Sequence, residues 1–235
     1  MSYKRISPTP IIEGGTNATS MANTDGVVYY DGTRLVTTAV GTATNVLTSN
    51  GVGLAPTFQT VSAGALVLIQ TQTASNSASL TFTTGITPTY NNYLLVYTNA
   101  FPINGGDDLA LQISINGGAT YINSGYASGL PVLVYNTGAT GVFNNTAYML
   151  LGASLRNFAI GLNGSVYLQN FTSGPALGWP ALTGTCQFQT SGGTYFVGSP
   201  ISTYETGPTV VNAFRIIATT GNIAQGTFSL YAVAQ

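Results

Sequence analysis

The sequence predicts an all-β protein, and three observations support this fold class. Gly (29) and Pro (10) interrupt every stretch that would be long enough for a helix. Thr, Val, Tyr and Phe dominate between these interruptions and alternate with small polar residues, which is typical of strands. Only 5% of the 235 residues are charged, and the chain has no His. Hydroxyl and amide groups must therefore cover its surface.

The near absence of charge limits the possible functions. A typical soluble domain is about 25% charged, whereas this chain has five basic and six acidic residues and a net charge of −1. Such a balance provides no field that would attract nucleic acid or an anionic membrane. The usual groups for general acid–base catalysis are missing, and the single cysteine, Cys186, has no imidazole to activate it. We therefore expect a protein that is not an enzyme and that has no cofactor.

Residues 1–12 form a short N-terminal segment. Lys4 and Arg5 are its only cations, and no apolar stretch follows them, so the segment lacks the pattern of a Sec-type signal peptide. No part of the chain has the roughly 18 continuous apolar residues of a membrane helix. We expect a protein that is made in a bacterial cytoplasm and released by a route other than a cleaved leader.

Residues 13–62 contain only small apolar groups, at 27–30, 35–36, 46–47, 54 and 58. Asp-Gly, Ser-Asn-Gly and Ala-Pro turns separate these groups, which are too few to bury a core within one chain. An extended, Gly-rich segment of this kind is stable mainly when several copies wrap together and pack on one another. The predicted end of the segment lies at 61–64, where the polar linker gives way to an apolar stretch.

Residues 63–235 contain the clearest strand patterns. In 109–115, Leu109, Leu111, Ile113 and Ile115 are predicted to share one face, with polar and small residues opposite. Residues 116–118, Asn-Gly-Gly, predict a tight hairpin turn with a return strand that begins at 120–122. Further strands are predicted at 66–71, 77–83, 93–98, 131–135, 147–151, 165–171, 211–217 and 226–233. About ten short strands with regular turns predict a jelly-roll-like antiparallel β-sandwich.

Residues 41–59 read Gly-Thr-Ala-Thr-Asn-Val-Leu-Thr-Ser-Asn-Gly-Val-Gly-Leu-Ala-Pro-Thr-Phe-Gln. This run resembles the shaft motif of tailed-bacteriophage fibre proteins, in which variants of G-T-x-x-Q-V-L-T-S-N-G-x-G-x-x-P-T-[WF] recur. One departure is Thr44-Asn45, which stands where Gly-Gln is common. The upstream Gly14-Gly15-Thr16 and the stretch 25–29 resemble the element that precedes this motif in the same proteins. Residues 69–86 and 211–231 are similar to the head domains of phage fibres.

The resemblance implies a homotrimer that is a structural component of a virion and is assembled in the bacterial cytoplasm. Residues 1–12 would attach to a capsid, tail or baseplate protein, with Tyr3, Lys4, Arg5 and Ile6 as docking residues. Residues 13–62 would form an extended, intertwined trimeric shaft. Residues 63–235 would form a jelly-roll-like β-sandwich head that attaches to a glycan or protein of the host cell surface.

Aromatic side chains in predicted loops are the candidates for receptor contact. Trp179 lies between Gly178 and Pro180 rather than in an alternating strand, and functional residues are often on loops. A flat, exposed ring can stack on a sugar whose hydroxyls bond to nearby Ser, Thr, Asn and Gln. Tyr126, Tyr195 and Tyr204 have similar loop contexts. The alternative is that Trp179 closes one end of the sandwich or packs at the trimer axis.

The remaining candidate residues are acidic or a thiol. Asp107 and Asp108 form the only adjacent acidic pair, and we expect a hairpin loop there rather than a Ca²⁺ site, which needs 6–8 oxygen ligands. Glycoside hydrolysis needs two carboxyl groups about 5–9.5 Å apart, and the sequence leaves Asp108 with Glu205 open as such a pair. Cys186 lies in a strand-like alternation and is predicted to be a small core residue.

The sequence allows two other functions. The chain could be a capsid-decorating fibre, or a subunit of an extracellular surface filament, without a receptor of its own. In a filament, the N-terminal segment would donate a strand to the sheet of a neighbouring subunit. A polysaccharide depolymerase that uses Asp108 and Glu205 is the third possibility.

Overall fold

The computed structural model describes residues 15, 16, 18, 20–60, 65–134, 138–172, 178–207 and 209–234. Within these residues the chain forms seventeen strands in antiparallel sheets and no helix, which confirms the predicted all-β class. The described residues accordingly contain no helix of the length and apolarity needed to cross a membrane. The chain divides into two compact units, Met1–Ala63 and Gly64–Gln235. The predicted boundary at 61–64 lies outside the described residues.

The first unit contains two separate β-hairpins. Their strands are β1 (Val28–Tyr30) with β2 (Leu35–Thr37), and β3 (Asn45–Thr48) with β4 (Thr57–Thr60). In the first hairpin, the Asp31 carboxylate accepts hydrogen bonds from the backbone N–H groups of Thr33 and Arg34, at 2.8 and 2.9 Å. An Asp side chain that bonds to the backbone a few residues on stabilises a tight turn.

The second hairpin contains the residues that resemble the shaft motif. Gly51 and Gly53, in the connection between its strands, take positive φ angles of 102° and 77°, a conformation that favours Gly. The Phe58 ring packs directly on Gly41, where a Cβ atom would lie 2.5 Å from Phe58 Cγ. The glycines and the Phe of this run therefore have local structural roles within one chain.

The described residues between 15 and 60 bury no apolar side chain. Thr38 is the one buried residue among them. The exposed large apolar residues are Met21, Val27, Val28, Tyr30, Val40, Val46, Leu47, Val52 and Leu54. An open gap of about 600 Å³ separates the connections of the two hairpins. This agrees with the expectation that one chain supplies too few apolar side chains here to form a core.

The second unit contains thirteen strands in two sheets. The strands are β5 (Leu66–Ser77), β6 (Leu80–Phe82), β7 (Tyr93–Pro102), β8 (Leu109–Ser114), β9 (Tyr126–Val134), β10 (Gly138–Thr146), β11 (Met149–Gly152), β12 (Leu162–Gln169), β13 (Ala181–Gln189), β14 (Tyr195–Gly198), β15 (Ile201–Tyr204), β16 (Ala213–Ala218) and β17 (Ile223–Val233). The larger sheet has the order β10-β9-β14-β13-β12-β7-β17-β5, with β15 also paired to β13 and β9. The smaller sheet has the order β11-β8-β16-β6. Both sheets contribute to one apolar core, so the architecture is sandwich-like.

Aromatic rings fill much of the core. Phe82 and Phe214 stack with their centroids 4.6 Å apart, and Phe171 meets Phe214 edge-on at 6.3 Å. Tyr97 and Phe228 lie 6.1 Å apart on the larger sheet. All five side chains are fully buried. Aromatic pairs of this kind contribute about 0.5–1.5 kcal/mol beyond the area that they bury.

The region around β8 differs from the prediction. All six residues of Leu109–Ser114 are buried, because the face predicted to be polar is covered as well. Gln112 on that face accepts hydrogen bonds from Arg215 and donates one to the Ala147 carbonyl, at 2.8–3.0 Å. The strand pairs with β11 and β16 rather than with a hairpin partner.

The predicted return strand at 120–122 is wrong. Gly117 and Gly118 do take the positive φ angles of a turn, 72° and 88°, and the Ile122 N–H bonds to the Ile113 carbonyl at 2.9 Å. The chain then moves to the larger sheet, where β9 begins at Tyr126. Strands β10, β14 and β15 were not predicted, since pairing within the sheet rather than a local pattern determines them.

Strands β12 and β13 approach each other closely at two glycines. A Cβ atom at Gly184 would lie 2.1 Å from the Ser165 carbonyl oxygen, and one at Gly164 would lie 2.3 Å from the Thr185 carbonyl oxygen. In both cases the obstacle is backbone of the neighbouring strand, which cannot rotate away as a side chain can. Glycine is therefore required at both positions by packing.

We expect Gly184→Ala to lower the free energy of unfolding by about 2 kcal/mol or more, because the added methyl group must displace the backbone of β12. Gly192→Ala is the matched control, since the nearest atom to its Cβ would be Thr190 Oγ1 at 3.9 Å. Urea unfolding of both variants measures the difference. Equal stabilities of the two variants would contradict this account of the packing.

Candidate functional site

The strands of the larger sheet run between two ends of the second unit, and the candidate residues gather at these ends. The Trp179 end comprises residues 65–66, 90–93, 169–172, 178–181, 204–206 and 233–234, which strand register brings together. The Arg156 end comprises residues 102–108, 153–160, 189–195 and 219–223. Strand β13 connects the two ends with its nine residues, which span about 26 Å at the usual strand rise.

The chain enters and leaves the second unit at the Trp179 end. Leu66, the first residue of β5, pairs with Val233 at the end of β17. Trp179 itself is 45% exposed, and its carbonyl oxygen accepts a hydrogen bond from Asn170 Nδ2 at 3.3 Å. The ring therefore lies at the surface immediately before β13, where it can serve as a stacking surface.

The sequence predicted that Tyr126 lies in a loop, and this prediction is wrong. The side chain has no surface to offer a ligand. It begins β9 and is fully buried. Its hydroxyl donates to the Ile122 carbonyl at 3.0 Å and accepts from the Ile113 N–H at 3.2 Å. The ring of Tyr204 packs on it with a centroid distance of 5.4 Å. Tyr126 thus holds the connection between the two sheets against β8, and Tyr204 is half-buried above it.

Tyr195 lies at the opposite end from the other aromatic candidates. It is the first residue of β14, is exposed, and pairs with Gln189. The length of β13 therefore separates it from Trp179, and one small ligand cannot contact both. Tyr3, Lys4, Arg5 and Ile6, the predicted docking residues, lie outside the described residues.

Two carboxylates connect the loops of the Arg156 end. The Asp108 carboxylate accepts hydrogen bonds from the Ser154 N–H at 2.8 Å and the Tyr148 hydroxyl at 3.2 Å. Asp107 is buried, and its Oδ1 accepts a hydrogen bond from the Thr220 hydroxyl. These contacts join the loop at 103–108 to three neighbouring segments. Within the described residues, no group of three or more His, Cys, Asp or Glu could hold a metal ion.

Half-buried Arg156 and exposed Phe158 form a cation–π pair that was not predicted from the sequence. The guanidinium carbon lies 4.1 Å from the centroid of the Phe158 ring, and Nη1 donates to Gln189 Oε1 at 2.8 Å. Phe158 is 54% exposed. The sequence does contain a signal for this pair, because Arg156 is the only charged residue between Asp108 and Glu205. A single cation near an aromatic residue in a neutral stretch indicates a possible cation–π pair.

A small apolar cavity opens at the same end. Its volume is about 190 Å³, and its lining residues are Leu130, Val132, Ala153, Ser154, Phe188, Thr190 and Phe196. Phe188 and Phe196 stack within the lining, with centroids 5.4 Å apart and an interplanar angle of 8°. Ligand pockets typically measure about 300–1,000 Å³, so this cavity fits a small apolar group rather than a whole ligand.

Asp108 and Glu205 do not form a paired-carboxylate site. Asp108 directly precedes β8, whereas the Glu205 N–H bonds to the Gly125 carbonyl, beside Tyr126. The Tyr126 hydroxyl in turn bonds at Ile113, near the other end of β8. The five residue steps from Asp108 to Ile113 span about 16 Å along β8. This distance exceeds the separation of about 9.5 Å between the two carboxyl groups that glycoside hydrolysis tolerates.

Cys186 is a buried residue of β13, as predicted for a small core side chain. Burial raises the pKa of its thiol to about 12. The thiolate is the reactive form of cysteine, so this side chain stays protonated and unreactive at neutral pH.

Removal of two buried tyrosine hydroxyls should have opposite effects on stability. Tyr126→Phe leaves the Ile113 N–H without a partner in the core and should lower the free energy of unfolding by about 1–2 kcal/mol. Tyr97→Phe removes a buried hydroxyl that has no hydrogen-bond partner among the described residues. That change should leave the free energy of unfolding equal or higher. Urea unfolding tests both, and a larger loss for Tyr97→Phe would refute the assignment.

The same tyrosines should make the fold sensitive to alkaline pH. Burial raises the pKa of Tyr97 well above its ordinary value of 10.0. Above that ordinary value the unfolded chain loses the phenol proton while the folded chain keeps it. The free energy of unfolding therefore falls as pH rises, by up to about 1.4 kcal/mol per pH unit for this group. Tyr97→Phe should flatten the decline, and urea unfolding at several pH values above 10 measures it. An unchanged decline in the variant would contradict the assignment.

Comparison with known proteins adds no relative to this description. The chain matches no protein-family model, no curated protein and no solved structure. The resemblance to phage fibres therefore rests on the residues of the shaft-like run and the head-like stretches.

Proposed function

We propose that this chain is a structural fibre protein of a virion, a homotrimer that attaches to the host cell surface through its second unit. The first unit would form the shaft, and the second a jelly-roll-like head. One observation carries the proposal: the described residues of the first unit bury no apolar side chain and expose nine large ones. A folded unit of this kind needs apolar surface from elsewhere.

Copies of the same chain would supply that surface. A fully buried Val or Leu contributes about 1.5–3 kcal/mol relative to an exposed one, so several such side chains per chain would stabilise an assembly. Val46 and Leu47 are exposed on β3, within the run that resembles the shaft motif. The exposure and the resemblance independently favour a shaft made from several chains. Val46 and Leu47 are successive residues of β3 and lie on opposite faces of the strand, so each would contact a neighbouring chain on its own side.

Exposed aromatic side chains favour host contact at the Arg156 end. Phe158 and Tyr195 are exposed aromatic side chains there, and aromatic rings with a nearby guanidinium suit the stacking and hydrogen bonding of a surface glycan.

Several heads on one fibre would strengthen weak contacts. Each head offers a few exposed stacking and polar groups at its Arg156 end, beside a cavity of only about 190 Å³, so we expect a modest affinity for a single copy. Tethered sites raise the effective concentration of the second and third binding events. Attachment by a trimer can therefore be firm although each contact is weak.

We expect the full chain to have a mass in solution of three times 24.2 kDa by light scattering. Val46→Lys should weaken the assembly at least about tenfold, because it places a charge in the buried shaft. Val210→Lys, at an exposed valine of the second unit, is the matched control and should leave the mass unchanged. A stable monomer at micromolar concentration would contradict the proposal.

Binding of the labelled full chain to a panel of bacterial strains tests host attachment. Phe158→Ala should reduce binding to a recognised strain at least about tenfold, whereas Trp179→Ala, similarly exposed at the other end, should not. Loss of binding for Trp179→Ala but not for Phe158→Ala would contradict the proposed host contact at the Arg156 end. A trimer that binds no strain would favour a decorating fibre or a surface filament, and release of reducing ends from a host polysaccharide would favour a depolymerase.

A further inference from the structure

The larger sheet has an outer face, turned away from the core, on which five apolar side chains and one threonine line up across six strands. Strand register makes these side chains cross-strand neighbours: Leu68, Tyr231, Leu94, Tyr167, Thr183 and Ile201. Leu68, Tyr167 and Ile201 are exposed and the others are half-buried. This set is termed the apolar row. Half-exposed apolar side chains in contact along a whole sheet are unlike the scattered ones of an ordinary surface.

The apolar row continues into an uncharged surface. The next row of neighbours consists mainly of hydroxyl side chains, Thr71, Ser229, Val96, Ser165 and Thr185. Beyond it, Val197 and Leu133 are exposed cross-strand neighbours, next to a shallow hollow of about 250 Å³. No described side chain on this face is charged. Sheets that face water usually carry charges, which prevent association.

The outer face is large enough for a specific protein contact. Seven strand positions from β9 to β5 span about 34 Å at the usual spacing, and strands of about nine residues span about 30 Å. The face therefore measures about 1,000 Å², whereas a specific interface takes about 800 Å² from each partner.

We infer that the outer face is the contact between copies of this chain in the second unit. Charge identifies the occupant. A partner of average composition would bring charged side chains, which cost free energy when buried without counter-charges. A second copy brings an equally uncharged face, so association buries apolar side chains and pairs hydroxyl groups without burying a charge.

This inference rests on the proposed homotrimer and adds the surface through which its heads associate. In a threefold assembly whose axis runs along the strands, the copies lie side by side with the same ends together. In a threefold assembly, the half of the face around Leu68 and Tyr231 meets the half around Tyr167 and Ile201 of the next copy. Each contact then takes about 500 Å² from each copy, about 1,000 Å² in total, which is the lower limit for a biological interface. The three contacts of the assembly together bury about 3,000 Å².

Two substitutions of the same residue type test the inference in the full chain. Ile201 lies in the apolar row and is 46% exposed, and Ile103 lies at the Arg156 end, off the outer face, and is 44% exposed. Ile201→Lys should reduce the association constant at least about tenfold, or open the heads of an assembly that the first unit still holds together. Ile103→Lys should do neither.

Hydroxyl-radical labelling of Tyr167 and Phe158, together with the mass of each variant, provides the readout. In the wild-type assembly, Tyr167 should be labelled several-fold less than Phe158, and Ile201→Lys should remove that protection. An oligomer in which Tyr167 is freely labelled and both variants behave alike would overturn the inference and leave the homotrimer standing. A freely labelled monomer would overturn both. Protection of Tyr167 only after a polysaccharide is added would assign the face to a glycan and also overturn it.

Discussion

Burial of aromatic and aliphatic side chains between the two sheets is the constraint on which the second unit depends. Phe214 on β16 contacts both Phe82 and Phe171, so one ring connects the smaller sheet to the segment that follows β12. Such contacts fix the positions of both sheets. The sheets in turn position the two ends of the second unit, where the candidate residues lie. Loops at the end of a sandwich depend on this packing, because they have little apolar area of their own.

Amides and hydroxyls take the place of charges in this molecule. At the turn after β8, the Asn116 side chain accepts from the Thr120 N–H at 3.0 Å and donates to the Thr120 hydroxyl at 2.8 Å. Asn212 bonds to the backbone of the same turn, at Gly117 and Ile115. Each such neutral bond contributes about 1 kcal/mol and depends little on salt or on pH near neutrality.

Each of the two units leaves apolar side chains exposed, but in a different way. The first has no buried apolar side chain among its described residues, so its hairpins have little but backbone pairing and local turns to stabilise them. The second has a complete core but leaves an uncharged sheet face open to solvent. An assembly of identical chains would cover both, because each copy brings the matching apolar surface. The proposed fibre and the proposed contact between heads therefore have a common physical cause, apolar surface that a single chain leaves exposed.

The candidate site divides between what local pattern determines and what packing determines. Trp179 and Tyr195 are exposed, in keeping with their predicted accessibility. Tyr126 has the same local composition and is buried, because the connection after β8 folds across it and its hydroxyl bonds to Ile113 and Ile122. Arg156 and Phe158 were missed, since only the fold brings Gln189 and the loop at 103–108 alongside them.

The sequence by itself determined the all-β class, the scarcity of charge, the burial of Cys186 and the poverty of the first unit in apolar side chains. These follow from composition and period-two alternation, which act over a few neighbouring residues. Tertiary structure alone decided that β8 is buried on both faces, that β10 is a strand, and that the candidate aromatic residues lie at opposite ends. Each of these depends on strand pairing between residues far apart in the chain, which local propensity does not encode.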